Sequence, residues 1–377
     1  MKSFKVWYTL GVIVLAVVFT LAVASLILAV LGANVMDTFW VIICYPFTSL
    51  KNLSGVINIM TPLVFVGVGI CVAYRSGITN IGGEGQMIMG ILFGVIMALN
   101  IDLPKVIALP LIMLAGMLGG AIWGALPGLL KSKFGVSELL STVMFNYIAT
   151  QAYAYALRVP LLDPSIQSGA GEPQTVKLAT EQWLSKFSEL FPGVDKMMRF
   201  HSGIFIAILV AVIVFLFMWK TPTGYKMRAA GVSDRAARYG GINVSKYLVL
   251  AMIISGACCG LAGIVEILGV HHRGLGSCTG GYGFSGIVVA LFGGLHPLGV
   301  IPAAFFFAVI SYGCSALQIN KISVPSNVID VLQGLVILVI VAAKMIISNR
   351  YLMDRVRRNV EKRFHLADVN AASKEVA

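Results

Sequence analysis

Lys220–Lys246 reads KTPTGYKMRAAGVSDRAARYGGINVSK, and a segment long and apolar enough to cross a bilayer lies on either side of it. The loop is polar, basic and studded with Ala and Gly, a composition suited to presenting a short helix to a partner at one membrane face. Its flanks set the fold class. A crossing helix needs roughly 20 apolar residues for a hydrocarbon core of about 30 Å. Runs near that length recur throughout the 377 residues, of which 58% are hydrophobic and only 12% charged. A soluble domain with so few charges lacks the polar surface to stay in solution. The expected fold is an all-α polytopic membrane protein of about ten transmembrane helices, in two related halves with broken helices.

The ten segments run at about 7–31, 53–73, 86–99, 106–126, 139–156, 204–220, 247–268, 284–293, 298–317 and 328–347, the third and eighth being shorter than a full crossing. The first is too long for a signal-peptide core and lacks a clear cleavage site, so it is expected to stay attached. Residues 1–347 then form one transmembrane domain and 348–377 a polar cytoplasmic tail. With the amino terminus inside, 19 of the 28 Lys and Arg residues fall at the inner face and 9 at the outer face. Cytoplasmic loops carry such an excess, which places both termini in the cytoplasm. The formal charge of +12 is therefore topology rather than a nucleic-acid footprint, since the basic residues flank spans.

Glycines are patterned. Gly116, Gly120, Gly124 and Gly128 stand four apart, as do Gly256 and Gly260. That spacing lets helix backbones approach closely, which is how helices pack once lipid removes the hydrophobic drive. The six cysteines have neither disulfide nor metal-ligand spacing. In the loop between the fifth and sixth segments, Trp183, Leu184, Phe187, Leu190 and Phe191 fall at helical spacing, which predicts a short helix lying on the membrane surface.

Two stretches interrupt what should be membrane: Tyr74–Gly90, YRSGITNIGGEGQMIMG, and Gly274–Gly286, GLGSCTGGYGFSG. Irregular backbone at membrane depth survives only where protein or a water-filled cavity covers it. Paired breaks in corresponding halves point to a translocation path. Asn80, Glu84 and Gln86 in the first break, with Asn146 and Gln333 on later segments, are the candidate path residues. Each has a plainer reading: Glu84 as a carboxylate near a positive helix start, Asn146 and Gln333 as interhelical hydrogen-bonding groups. Glu266 and Asp330, near span ends, are read as an outer gate or as solvated interfacial groups, and His271–His272 lack the further ligands a metal site needs. No phosphate-binding loop, H-E-x-x-H or G-x-S-x-G occurs. A transporter built this way draws on an ion gradient or on a separate ATPase.

Three stretches carry a family resemblance: GITNIGGEGQMIMG (Gly77–Gly90), GYKMRAAGVSDRAARYGGINVSKYLVLAMIISGACCGLAG (Gly224–Gly263) and GYGFSGIVVALFGGLHPLGVIPAAFF (Gly281–Phe306). With them the chain resembles permease subunits of bacterial ABC importers in the group serving branched-chain amino acids, ribose and other simple sugars, and nucleosides. The Asn80–Gln86 run looks like the nucleoside-type branch, and the D-L-S-x-G run usual in ribose-type permeases is absent. Cys258–Cys259 departs from the small Ala-like residues usual at that place. The resemblance implies a non-catalytic subunit of the cytoplasmic membrane that carries a nucleoside, purine first and a simple sugar second, by alternating access. It implies a coupling helix at Ala229–Gly241, with Arg228, Ala229, Ala230, Gly231, Ala236, Ala237, Tyr239, Gly240 and Gly241 meeting the ATPase. It also implies that ATP and Mg bind on that ATPase and no cofactor binds here, and that a second related permease and an extracytoplasmic binding lipoprotein are partners. An ion-gradient-driven transporter is the rival class.

Overall fold

In the computed structural model, residues 2–30, 34–166, 172–190, 198, 200–319 and scattered positions between 331 and 358 are described. They fall into two compact units, Met1–Trp40 with Cys314–Ala377, and Val41–Gly313. The first contains α1 (Lys2–Val30); α2 (Val35–Ile43) leads into the second. Of the tenth expected segment only scattered positions are described, and those are helical; Gln333, Asp330 and most of the tail lie outside the described residues.

Among its described residues the second unit is built of helices joined by irregular segments, with no strand beyond two isolated bridges. Its elements are α3 (Leu50–Arg75), α4 (Gly83–Asn100), α5 (Lys105–Phe134), α6 (Glu138–Arg158), the single turn α7 (Phe187–Leu190), α8 (Gly203–Lys220), α9 (Pro222–Val232), α10 (Asp234–Tyr239), α11 (Val244–Glu266), α12 (Tyr282–Phe292) and α13 (Pro297–Ile319). Six helices, α3, α4, α5, α8, α11 and α13, are long and apolar enough to cross a membrane. The remaining expected segments are α1, the short α12, and α6, which spans 21 residues but carries Ser141, Thr142, Asn146, Thr150 and Gln151. The chain is a multi-pass membrane protein.

α5 runs two turns further than its apolar stretch predicts, to Phe134, because Lys131 and Lys133 sit in its last turn, where cations suit the negative helix end. It stops at Gly135, whose φ of 69° is left-handed. α3 is the buried axis: apart from Ile57, Asn58 and Ile59, every side chain from Val56 to Ala73 is shielded. α11 packs against α3, α4 and α5 along the glycine seam. A Cβ on Gly120 would fall 2.2 Å from the Gly256 carbonyl oxygen, and one on Gly256 2.2 Å from that of Gly120. The four-residue spacing is thus a direct backbone-to-backbone contact, with nothing but hydrogen fitting between the two helices.

The predicted surface helix does not reach back to Trp183, which is extended; Phe187–Leu190 is helical, and Phe191 lies outside the described residues. The backbone here pairs with the chain after α11 instead. Leu178 N donates to His272 O at 2.9 Å and Leu184 N to Leu268 O at 3.0 Å. Trp183 stacks on His272 at 3.9 Å. Gln182 Nε2 donates to Ala98 O at 2.7 Å and Ile101 O at 3.0 Å, satisfying carbonyls at the end of α4. Tertiary pairing overrode the helical periodicity.

Candidate functional site

The site forms where α3 ends and α4 begins. Arg75 closes α3, and Ser76–Gly82 is irregular. Gly77 takes φ 82°, a left-handed turn that an L side chain rarely adopts. α4 then starts at Gly83, well inside the bundle. Asn146 stands eight residues beyond the start of α6 and Ser255 eleven beyond that of α11. At 1.5 Å per residue these lie about 12 and about 16 Å along their helices, near mid-membrane depth.

Three predicted path residues are brought together here, with every amide group paired. Asn80 Nδ2 donates to Gln86 Oε1 at 2.9 Å and to Ser255 Oγ at 2.8 Å. Asn80 Oδ1 accepts from Gly82 N at 2.9 Å and from Gln86 Nε2 at 3.2 Å. Asn146 clasps the break from α6: its Oδ1 accepts from Gly85 N at 2.8 Å and its Nδ2 donates to Ile81 O at 3.0 Å. These bonds satisfy backbone groups that a broken helix leaves open, where each unmade bond would cost about 1–3 kcal/mol. Asn80, Gln86 and Asn146 therefore hold the break in shape.

Glu84 differs. Its Oε2 accepts from Gly283 N at 2.9 Å. Gly283 lies in the first turn of α12, so Glu84 caps the helix that follows the second interruption. The two breaks meet, with the starts of α4 and α12 in backbone contact: a Cβ on Gly283 would sit 2.3 Å from Glu84 N. The sequence named both breaks and Glu84. It missed Ser255 and the pairing of Glu84 with Gly283, contacts between residues 175 and 199 positions apart with no local signal.

The 220–246 loop folds into two helices rather than one across Ala229–Gly241, because three caps punctuate it. Thr221 Oγ1 accepts from Gly224 N at 3.1 Å, with Pro222 in the first turn of α9. Ser233 breaks the run at φ −157° and caps α10 through Ala236 N at 3.3 Å. Asn243 caps α11 through Lys246 N at 3.1 Å. Gly241, at φ 74°, turns the chain after α10. The predicted coupling residues divide. Ala230, Ala237 and Val244 form a small buried cluster. Gly231 lies directly on the first break: a Cβ there would fall 2.1 Å from Arg75 O. Arg228 points back to Met218 O at 3.0 Å and so does not reach outward. Arg238 pairs with Asp234 at 2.9 Å. Ala236, Gly240 and Gly241 are exposed, Ala229 is half-buried, and Tyr239 is 95% exposed. The exposed surface of the loop is α10 and the end of α9, with Val232, Arg235 and Tyr239.

A bundle of apolar helices with two opposed interruptions and a capped helical loop is the architecture of a transport subunit. The family described as branched-chain amino acid transport system / permease component matches residues 52–341. The chain belongs to that family. It is 32% identical over 345 residues to the guanosine ABC transporter permease protein NupP of Bacillus subtilis, covering 91% of this chain and 95% of the relative. It is 31% identical over 347 residues to the glucose ABC transporter permease protein TsgB13 of Haloferax volcanii, covering 91% and 90%. A second Bacillus subtilis relative, the guanosine ABC transporter permease protein NupQ, is 30% identical over 253 residues, 65% of this chain and 76% of the relative.

Proposed function

We propose that this chain is the translocating subunit of an ABC importer for a nucleoside, a purine nucleoside first, working by alternating access. The observation that carries the reading is the stack Gly231–Gly77–Asn80–Glu84–Gly283: the loop helices rest on one break, and that break meets the other through backbone contact and the Glu84 carboxylate. In the structure Glu84 caps α12. Separating α4 from α12 frees a carboxylate whose natural replacement donors are substrate hydroxyl or N–H groups. Asn80, Gln86 and Asn146 keep the break rigid while this happens. Gln333 stays proposed as a path residue from the opposite half.

The chain would lie in a bacterial cytoplasmic membrane with both termini in the cytoplasm. A separate ATPase would bind ATP and Mg and act on α9–α10; this chain would bind no cofactor and catalyse nothing. A related permease would complete the path, a pairing suggested by two guanosine permeases in one organism. An extracytoplasmic lipoprotein would deliver substrate. A simple sugar is the second reading, favoured by the glucose permease relative.

The test is uptake by the reconstituted complex with guanosine, adenosine and glucose in competition. A purine nucleoside is expected to be imported and to outcompete glucose; import of glucose alone would overturn the substrate assignment. Glu84→Gln is expected to raise KM for the imported solute at least about tenfold, the cost of losing a charged hydrogen bond of about 1.5–3 kcal/mol. An unchanged KM would remove Glu84 from the path.

A further inference from the structure

At the end of the bundle carrying α9, one aromatic side chain gathers four elements. Trp219, next to last in α8, has the Arg75 guanidinium of α3 over its ring at 5.8 Å and the Arg228 guanidinium of α9 over it at 5.2 Å. Phe215 stacks on it at 5.6 Å, and His296, in the turn between α12 and α13, lies 4.8 Å away. Each guanidinium is also tied to backbone. Arg228 Nε donates to Met218 O at 3.0 Å. Arg75 donates from Nε to Leu295 O at 2.8 Å and from Nη2 to Gly294 O at 3.1 Å.

Two like charges gathered at one place repel unless something between them is attractive to both. Among aromatic rings, the negative face of an indole attracts cations most strongly. The donors on each guanidinium are fixed in a planar fork, so a cation held at once to a ring and to a carbonyl has little freedom to slide. α9 cannot then shift without breaking either the Arg228–Met218 bond or the ring contact. Arg75 in turn fixes the turn that follows α12, the helix whose opposite end Glu84 caps. A displacement of α9 therefore reaches α12 by two routes. One runs through Gly231 and the first break to the start of α12, the other through Trp219 and Arg75 to its end.

We infer that Trp219, held by Arg75 and Arg228, is a positioning residue that makes α9, the end of α3 and the α12–α13 turn move as one piece. The inference rests on the reading of α9–α10 as the element a motor subunit acts on. It does not follow from a generic interfacial tryptophan, which needs a polar rim but no pair of backbone-anchored cations.

The experiment uses the full complex of both permeases, ATPase and binding protein in proteoliposomes. Radiolabelled guanosine, ribose and glucose are supplied, and variants are compared on the solute that the native complex imports. Trp219→Leu is expected to co-purify with the ATPase, to hydrolyse ATP within about twofold of native and to keep KM. Solute imported per ATP should fall about tenfold, in keeping with the loss of two partly desolvated cation–ring contacts. Trp219→Phe keeps a ring face and is expected to recover import per ATP to within about threefold of native. Native import per ATP in Trp219→Leu would overturn the inference. So would failure of both Trp219→Leu and Trp219→Phe to co-purify with the ATPase, which would make the ring a packing element only. Tyr239→Asp, on the exposed face of α10, separates this from the underlying reading. If Tyr239→Asp imports normally, the motor contact is misplaced; if it abolishes import while Trp219→Leu does not, the positioning role alone fails.

Discussion

At the scale of single residues, polar groups at mid-membrane depth are here committed to backbone or to one another. Asn146 shows why this matters. Removing its amide orphans Gly85 N and Ile81 O in one step, at a cost of about 1–3 kcal/mol for each. Asn146→Leu is expected to lower the thermal unfolding midpoint of the detergent-purified protein and its maximal uptake rate, with KM for solute little changed. A changed KM at native stability would return Asn146 to the solute path. His201 belongs to the other end of the bundle. It accepts from Gly203 N at 3.1 Å, and burial, aided by His272, pushes its pKa down to about 4. The sign follows directly. The unfolded chain takes up the proton near pH 6.5, and the folded one resists until about pH 4. Stability present above pH 6.5 is therefore lost as the pH falls through that window, by up to about 3 kcal/mol. His201→Gln should flatten the pH dependence of the unfolding midpoint between pH 7 and 4.5; an unaltered slope would contradict the assignment.

At the scale of elements, the glycine seam decides how closely α5 and α11 approach. Gly120→Val places a branched side chain where the Gly256 carbonyl already lies. That substitution is expected to cost several kcal/mol through forced separation of the helices, beyond the usual 1–3 kcal/mol of overpacking. Loss of folded, monodisperse protein after extraction would show it, and a native yield would contradict the seam. This contact was legible in advance because four-residue glycine spacing maps straight onto a helix face. The two helices of the 220–246 loop were legible only as one, since the Ser233 cap competes with a run of Ala and Arg that favours continuity. The Trp183–Leu184 end of the predicted stripe is not helical for a different reason. Periodicity reports which residues are apolar, whereas the backbone hydrogen bonds to Leu268 and His272 decide whether they are helical.

At the scale of the whole molecule, the six strongly apolar spans and both breaks could be read from sequence, because membrane crossing is a one-dimensional constraint of length and polarity. What joins them could not. The Asn80–Ser255 and Glu84–Gly283 bonds link residues 175 and 199 positions apart, and no local pattern announces either. The account they support is a conduit without an engine, moved through α9 and α10. The most direct measurement is solute accumulation in proteoliposomes containing this chain and its partner permease, with and without the ATPase and ATP. Uphill accumulation should require both and survive collapse of the ion gradients. Accumulation without the ATPase that vanishes with an ion gradient would contradict it.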